Sequence, residues 1–188
     1  NVFRRNKLRS RLLTLLVTVL MSASTQAAII TFSDTDLASN PATVSGETVT
    51  TSTTDGVIST IGSGTFTGLW IGVNDANGTY TLAFSSFITS IEIEFDALSS
   101  TGGTPEETIF GFATSNGAVS IGYTNQFGTT FDGTTISSTE NDGQGIINFA
   151  GAAFNTFTFT HDQNPAQNGF VIERLVINTA AQAVPEPS

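Results

Sequence analysis

The sequence predicts an all-β protein, an antiparallel two-sheet β-sandwich of jelly-roll type preceded by an N-terminal signal peptide helix. Three observations predict it. Beyond residue 28 the chain is rich in Thr, Ser, Gly, Val, Ile and Phe and shows no long 3.6-residue periodicity. Asx-Gly pairs recur at Asp55-Gly56, Asn77-Gly78, Asn116-Gly117, Asp132-Gly133, Asp142-Gly143 and Asn168-Gly169, and such pairs accept the positive φ angles of tight turns. Between them lie short apolar/polar alternations with no intervening helical pattern. The absence of an internal repeat favours a sandwich over a propeller or solenoid.

In chain order, residues 1–27 have the three parts of a signal peptide: a basic start (Arg4, Arg5, Lys7, Arg9, Arg11), an apolar run over 12–21, and small residues up to Ala27 and Ala28. Signal peptidase is expected to cut after Ala27, with Thr25 and Ala27 before the cut. The apolar run is about half the length of a membrane-spanning helix. The Arg4-Arg5 pair is compatible with twin-arginine export, but no cofactor motif follows that would call for folding before export.

Residues 28–180 form one expected domain, long enough for a single substantial core. Strands are expected over 28–32, 49–53, 57–61, 66–73, 79–84, 88–98, 108–113, 119–123, 134–137, 146–149, 154–161 and 170–178. The firmest hairpins are expected around Asn77-Gly78 and Asn116-Gly117. Phe157 and Phe159, on one face of a strand, are expected in the core. Residues 181–188 are a linker and tail, because Pro185 and Pro187 end regular structure.

Five of the six basic residues lie within residues 1–11, so Arg174 alone faces sixteen carboxylates once a leader is removed, a net charge of about −15. Such a surface repels nucleic acid and anionic membrane and favours divalent cations. Membrane contact is expected only through the leader and through a helix following residue 188. With no cysteine, an exported chain must be held by its core.

Glu92, Glu94 and Asp96 share one strand face by alternation, with Ile91, Ile93 and Phe95 on the other. Neighbours on that face stand about 6.5–7 Å apart. Two readings follow: a solvated polar face with Arg174 on a neighbouring strand balancing a carboxylate, or a Ca²⁺ site completed by loop oxygens. Asp34 and Asp36 are a second candidate Ca²⁺ pair, or simply start a turn. Asn74 to Gly78 has some Ca²⁺-loop residues but lacks the later bidentate Glu, and reads as a hairpin.

Trp70, Tyr80 and Tyr123 are the rings available to stack on a sugar, although Leu69-Trp70-Ile71 is apolar on both faces and suits a core. His161 is the one histidine and reads as a turn or edge residue. With no cysteine and no second histidine, zinc of the usual composition is excluded. No Gly-x-Ser-x-Gly elbow and no phosphate-cradling loop occur.

The tail Val184-Pro185-Glu186-Pro187-Ser188 resembles the start of a PEP-CTERM sorting signal, in which Val-Pro-Glu-Pro precedes an apolar helix and an Arg-rich end. Residues 80–95 and 168–177 resemble the sandwich domains found ahead of such tails. The resemblance implies a protein of a Gram-negative-type bacterium, secreted or on the cell surface, processed by an exosortase-like enzyme and associated with exopolysaccharide or biofilm. The chain, starting at Asn1 with a leader, then reads as a piece of a longer precursor; the alternative is a chain that ends at Ser188 and is simply secreted. Its expected role is a structural or adhesive matrix component without catalysis; the alternative is a Ca²⁺-dependent carbohydrate-binding module.

Glu92-Ile93-Glu94-Phe95-Asp96 is also similar to the Glu-Ile-Asp-x-Glu signature of laminarinase-type glycosidases, which implies Glu92 as nucleophile and Asp96 as acid. Glu94 and Asp96 depart from that signature. Residues four apart on a flat strand span about 13 Å, whereas a retaining pair sits at roughly 5–5.5 Å.

Overall fold

The computed structural model describes residues 27–60, 66–101, 104–117, 119–165 and 167–181; the expected signal peptide over 1–27, apart from Ala27, and the Val184-Pro185-Glu186-Pro187 motif lie outside them. One compact unit spans Ala28–Ala180. Its elements are β1 (Ile29–Phe32), α1 (Asp34–Leu37), β2 (Ala42–Val44), β3 (Glu47–Thr53), β4 (Ile58–Ser59), β5 (Leu69–Ile71), β6 (Gly78–Leu98), β7 (Ser100–Thr101), β8 (Thr104–Pro105), β9 (Glu107–Thr114), β10 (Val119–Phe127), β11 (Thr129–Phe131), β12 (Ile136–Ser138), β13 (Gly143–Gln163) and β14 (Phe170–Thr179). The expected all-β antiparallel sandwich is found.

Its architecture rests on β6 and β13, two strands of 21 residues each that pair along their length. Their register slips between Ala150 and Phe154 and again before Thr156, opposite the stretch joining Phe84 to Ile88. The sequence predicts a break in each of these strands at that place, where Ser85-Ser86 and Gly151-Ala152 interrupt the alternation. The chain instead bends and continues, the way a strand turns a corner between packed sheets.

Two halves result. In one, β10 lies beside the first part of β13, which pairs with the second part of β6, then β14, with β1 and β5 sharing the far edge of β14 and β4 outside β5. In the other, β11, β12 and β9 lead to the second part of β13, the first part of β6, β3 and β2. Aromatic rings lock the halves face to face: Phe149 meets Phe157 at 4.4 Å, Phe112 meets Phe149 at 5.2 Å, and Phe159 meets Phe170 at 6.1 Å between centroids. Phe157 and Phe159 are buried as expected. Each such ring contributes about 2–3 kcal/mol of transfer free energy. The apolar void left between Ile93, Ile109, Ile147, Phe157 and Phe170 is about 10 Å³, at the lower limit for one water.

Turn chemistry explains where the expected hairpins fail. Gly117 takes φ +83° as its Asx-Gly pair predicts, but β9 and β10 do not pair. Both run in the same direction along one edge of β13, and Ser115–Gly117 is a jog between them. Asn77-Gly78 is likewise no hairpin, because β14 lies between β5 and β6. Tight hairpins form instead at β2–β3, over Ser45 and Gly46 at φ 52° and 82°, at β7–β8, and at β11–β12, over 132–135 with Gly133 at φ 102°. Positive φ at both central residues, as at Ser45 and Gly46, is the two-residue turn that suits twisted strands.

Edges are closed locally. On β3 the Asn40 amide acts as a strand segment, donating to Thr51 O at 2.7 Å and accepting from Thr51 N at 2.9 Å. The domain's two ends are clasped together: Ala28 N donates to Thr179 Oγ1 at 2.8 Å, and Thr179 N donates back to Ala28 O at 2.9 Å.

Candidate functional site

The outer face of the half containing β10, β13, β6 and β14 carries Glu92 and Glu94 of the residues singled out for chemistry. Alternation on β6 sends Ile91, Ile93 and Phe95 to the core and Glu92 and Glu94 outward. On β14 the spacing breaks once. Ile172 and Leu175 both face the core three residues apart, and the register slips between Ile172 and Arg174. The extra residue, Glu173, makes a bulge that re-aims Arg174 across β6.

Arg174 bridges both glutamates, with Nη2 2.8 Å from Glu92 Oε1 and Nε 2.6 Å from Glu94 Oε2. Gln126 of β10 adds a hydrogen bond to Glu94 Oε1 at 3.2 Å. Burial raises Glu94, but the hydrogen bonds from Arg174 and Gln126 and the Arg174 charge outweigh it, so its carboxyl is held below the ordinary value. The expected single balance by Arg174 is thus a double one.

Asp96 is set apart from that pair. It is buried, its Oδ1 accepts from Ala97 N at 2.5 Å and its Oδ2 accepts from Gln144 Nε2 at 2.9 Å. Burial, with help from Asp142 and Glu94, pushes its carboxyl above the ordinary value despite those bonds. Glu173 is raised too, first by burial and then by Asp96, Glu94 and Asp34. The bulge therefore gathers carboxylates that repel one another.

Arg174 engages Glu92 Oε1 and Glu94 Oε2, Gln126 engages Glu94 Oε1, and Ala97 N and Gln144 engage the Asp96 oxygens; among the described residues no group of three His, Asp or Glu side chains placed to hold a metal ion is found. Asp34 and Asp36 start α1 instead. Ser33 caps this single turn, with Asp36 Oδ2 accepting from Ser33 N at 2.9 Å and from Ser33 Oγ at 2.6 Å. Those bonds hold Asp36 below the ordinary carboxylate value.

The stacking roles are corrected by burial. Tyr80 is 0 % exposed and stacks on Phe159, and Trp70 is 5 % exposed among Ala97, Val171 and Phe66. Neither offers a ring face to a sugar. Tyr123 is half-buried, 2.5 Å by its hydroxyl from Thr129 Oγ1 and tilted against Phe131.

His161 is not an edge residue. It continues the inward face of Phe157 and Phe159 on β13, is fully buried, and places Nε2 3.5 Å from Oε1 of equally buried Glu107. Glu107 Oε2 accepts from Ser99 N at 2.5 Å. Gly72, at φ +81°, leaves the space His161 Nδ1 needs, because a Cβ there would collide with the ring. Period-two spacing from Phe157 through Phe159 and His161 to Gln163 is the sequence signal for this cluster.

No family model, no curated protein and no solved structure matches the chain.

Proposed function

We propose that the chain is an exported, non-catalytic β-sandwich protein of a bacterial surface or extracellular matrix, with a structural or adhesive role among exopolysaccharides. Its leader and its Val184-Pro185-Glu186-Pro187 tail supply the address. The observation that carries the role is the outer face just described. Strands fix amide side chains such as Asn148 and Asn178 on a rigid surface, while Arg174 occupies Glu92, and Asp96 is buried against Ala97 N and Gln144.

Affinity electrophoresis of the full chain through gels containing soluble bacterial polysaccharides tests it. The expected result is retardation by extended polymers, undiminished by chelator and weakened by the Asn148→Ala/Asn178→Ala pair. A chelator-sensitive shift would favour a Ca²⁺-dependent module built on the crowded carboxylates at the Glu173 bulge. Release of reducing ends, abolished in Glu92→Gln, would replace the reading with a glycosidase, and mobility unchanged by every polymer would remove it.

A further inference from the structure

The edges of this sandwich are unequally protected. Among the described residues β1, β2, β4, β5, β11 and β12 have four residues or fewer. The edge of β3 is covered by β2 and the Asn40 amide, and β9 is kinked at Gly111, which takes φ +68°. Short strands, local caps and kinks are the usual protections against edge-to-edge pairing. β10 differs. It has nine residues, among the described residues pairs only with β13, and stays in regular register from Val119 to Asn125.

Two further features mark that edge as one made to be covered. The core beneath it is unfinished: Ile121 and Tyr123 face inward yet remain partly exposed, while their partners across the pair, Phe149 and Ile147, are 0 % and 3 % exposed. It is also free of charge. No Asp, Glu, Lys or Arg occurs between Glu107 and Asp132, in a chain that elsewhere carries sixteen carboxylates. A second copy is the occupant these features fit: the strand is symmetric in character about Gly122, with Ser120-Ile121 before it and Tyr123-Thr124 after it, and an edge without charge lets two acidic domains meet without opposing carboxylates on the paired strands.

We propose that β10 is a self-assembly edge, which pairs antiparallel with β10 of a second copy about Gly122. In that register Ser120 of one copy faces Thr124 of the other and Ile121 faces Tyr123, so the strand is complementary to itself and the apolar face runs on across the two-fold axis. Net repulsion between the domains opposes the contact, so added salt strengthens it. No sugar is needed, so pairing and polysaccharide binding fail independently.

Sedimentation of the full chain at low and high salt reads the pairing directly, with dimer expected to increase with salt. Ser120→Asp/Thr124→Asp places carboxylates opposite one another twice and is expected to weaken dimerisation about tenfold with unchanged melting. Mixing it with Ser120→Lys/Thr124→Lys is expected to restore a mixed dimer. Because the native chain has no cysteine, Ser120→Cys/Thr124→Cys gives a second, independent measurement, and oxidation should join residue 120 of one copy to residue 124 of the other. A chain that stays monomeric at high salt, or a dimer whose affinity ignores the aspartates and whose cysteines do not cross-link, overturns the proposal.

Discussion

Arg174 holds two carboxylates with one guanidinium at a place where about a third of its side chain remains in water. At that exposure the bridge is worth about 1 kcal/mol or less. Its pH dependence is sharper than its size. Glu94 has a folded value below its unfolded one, so its contribution is present above the ordinary carboxylate range and is lost as pH falls through the folded value. Arg174→Met should therefore melt below the parent at neutral pH and converge with it in acid, as a pair of thermal melts would show. Asp96 has the opposite sign. Burial raises its folded value, so the ionised form subtracts from stability at neutral pH and the loss is recovered as pH falls through that raised value. Asp96→Asn, which keeps an acceptor for Ala97 N, should raise the neutral-pH melting temperature and flatten its pH dependence. Deep in the core, Glu107 and His161 behave as one unit. Glu107→Ala leaves the Ser99 amide without its acceptor and should cost about 1–3 kcal/mol. The double change Glu107→Leu/His161→Phe should cost much less than the two single changes summed, which a denaturant-melt cycle measures.

At the scale of elements, the edge cap on β3 depends on one side chain. Asn40→Ala removes both bonds to Thr51 and should lower stability by about 1–2 kcal/mol. Hydrogen exchange at the Thr51 amide should rise with it, since the loss is local. Most strands were legible because alternation survives in the sequence: Ile91-Glu92-Ile93-Glu94-Phe95 reads the same in one dimension as in three. Pairing was not legible. Asn116-Gly117 takes a positive φ at Gly117 while Asn77-Gly78 takes none, and whether the chain after such a pair returns to its own strand is decided by β13 and β14, which come from elsewhere in the chain. The Glu173 bulge was hidden for the same reason, because only the register against β6 shows that one residue is extra. His161 was misread because a strand's last inward residue and its first turn residue look alike when the partner, Glu107, lies far away in the chain. Tyr80 and Trp70 sit where a hydrophobic pattern puts them; as candidate ligands they were chosen by residue type, which says nothing about depth.

Over the whole molecule, a single basic residue beyond residue 11, Arg174, leaves the folded domain repelling itself. Screening should relieve this, so the melting temperature should climb with ionic strength until the screening length falls below the spacing of surface charges. A calorimetric salt titration at neutral pH checks it, and chloride salts of sodium and potassium should act alike. The clasp of Ala28 on Thr179 has a mechanical meaning as well. If force pulls the two ends of the domain apart, β1 and β14 part from that end one bond at a time, like a zipper. If the protein is held by its tail alone and loaded through its far end, the pull runs along β14, and its whole ladder of bonds to β6 must slip together. The same sandwich is then weak when stretched between its ends and strong when it hangs from one of them.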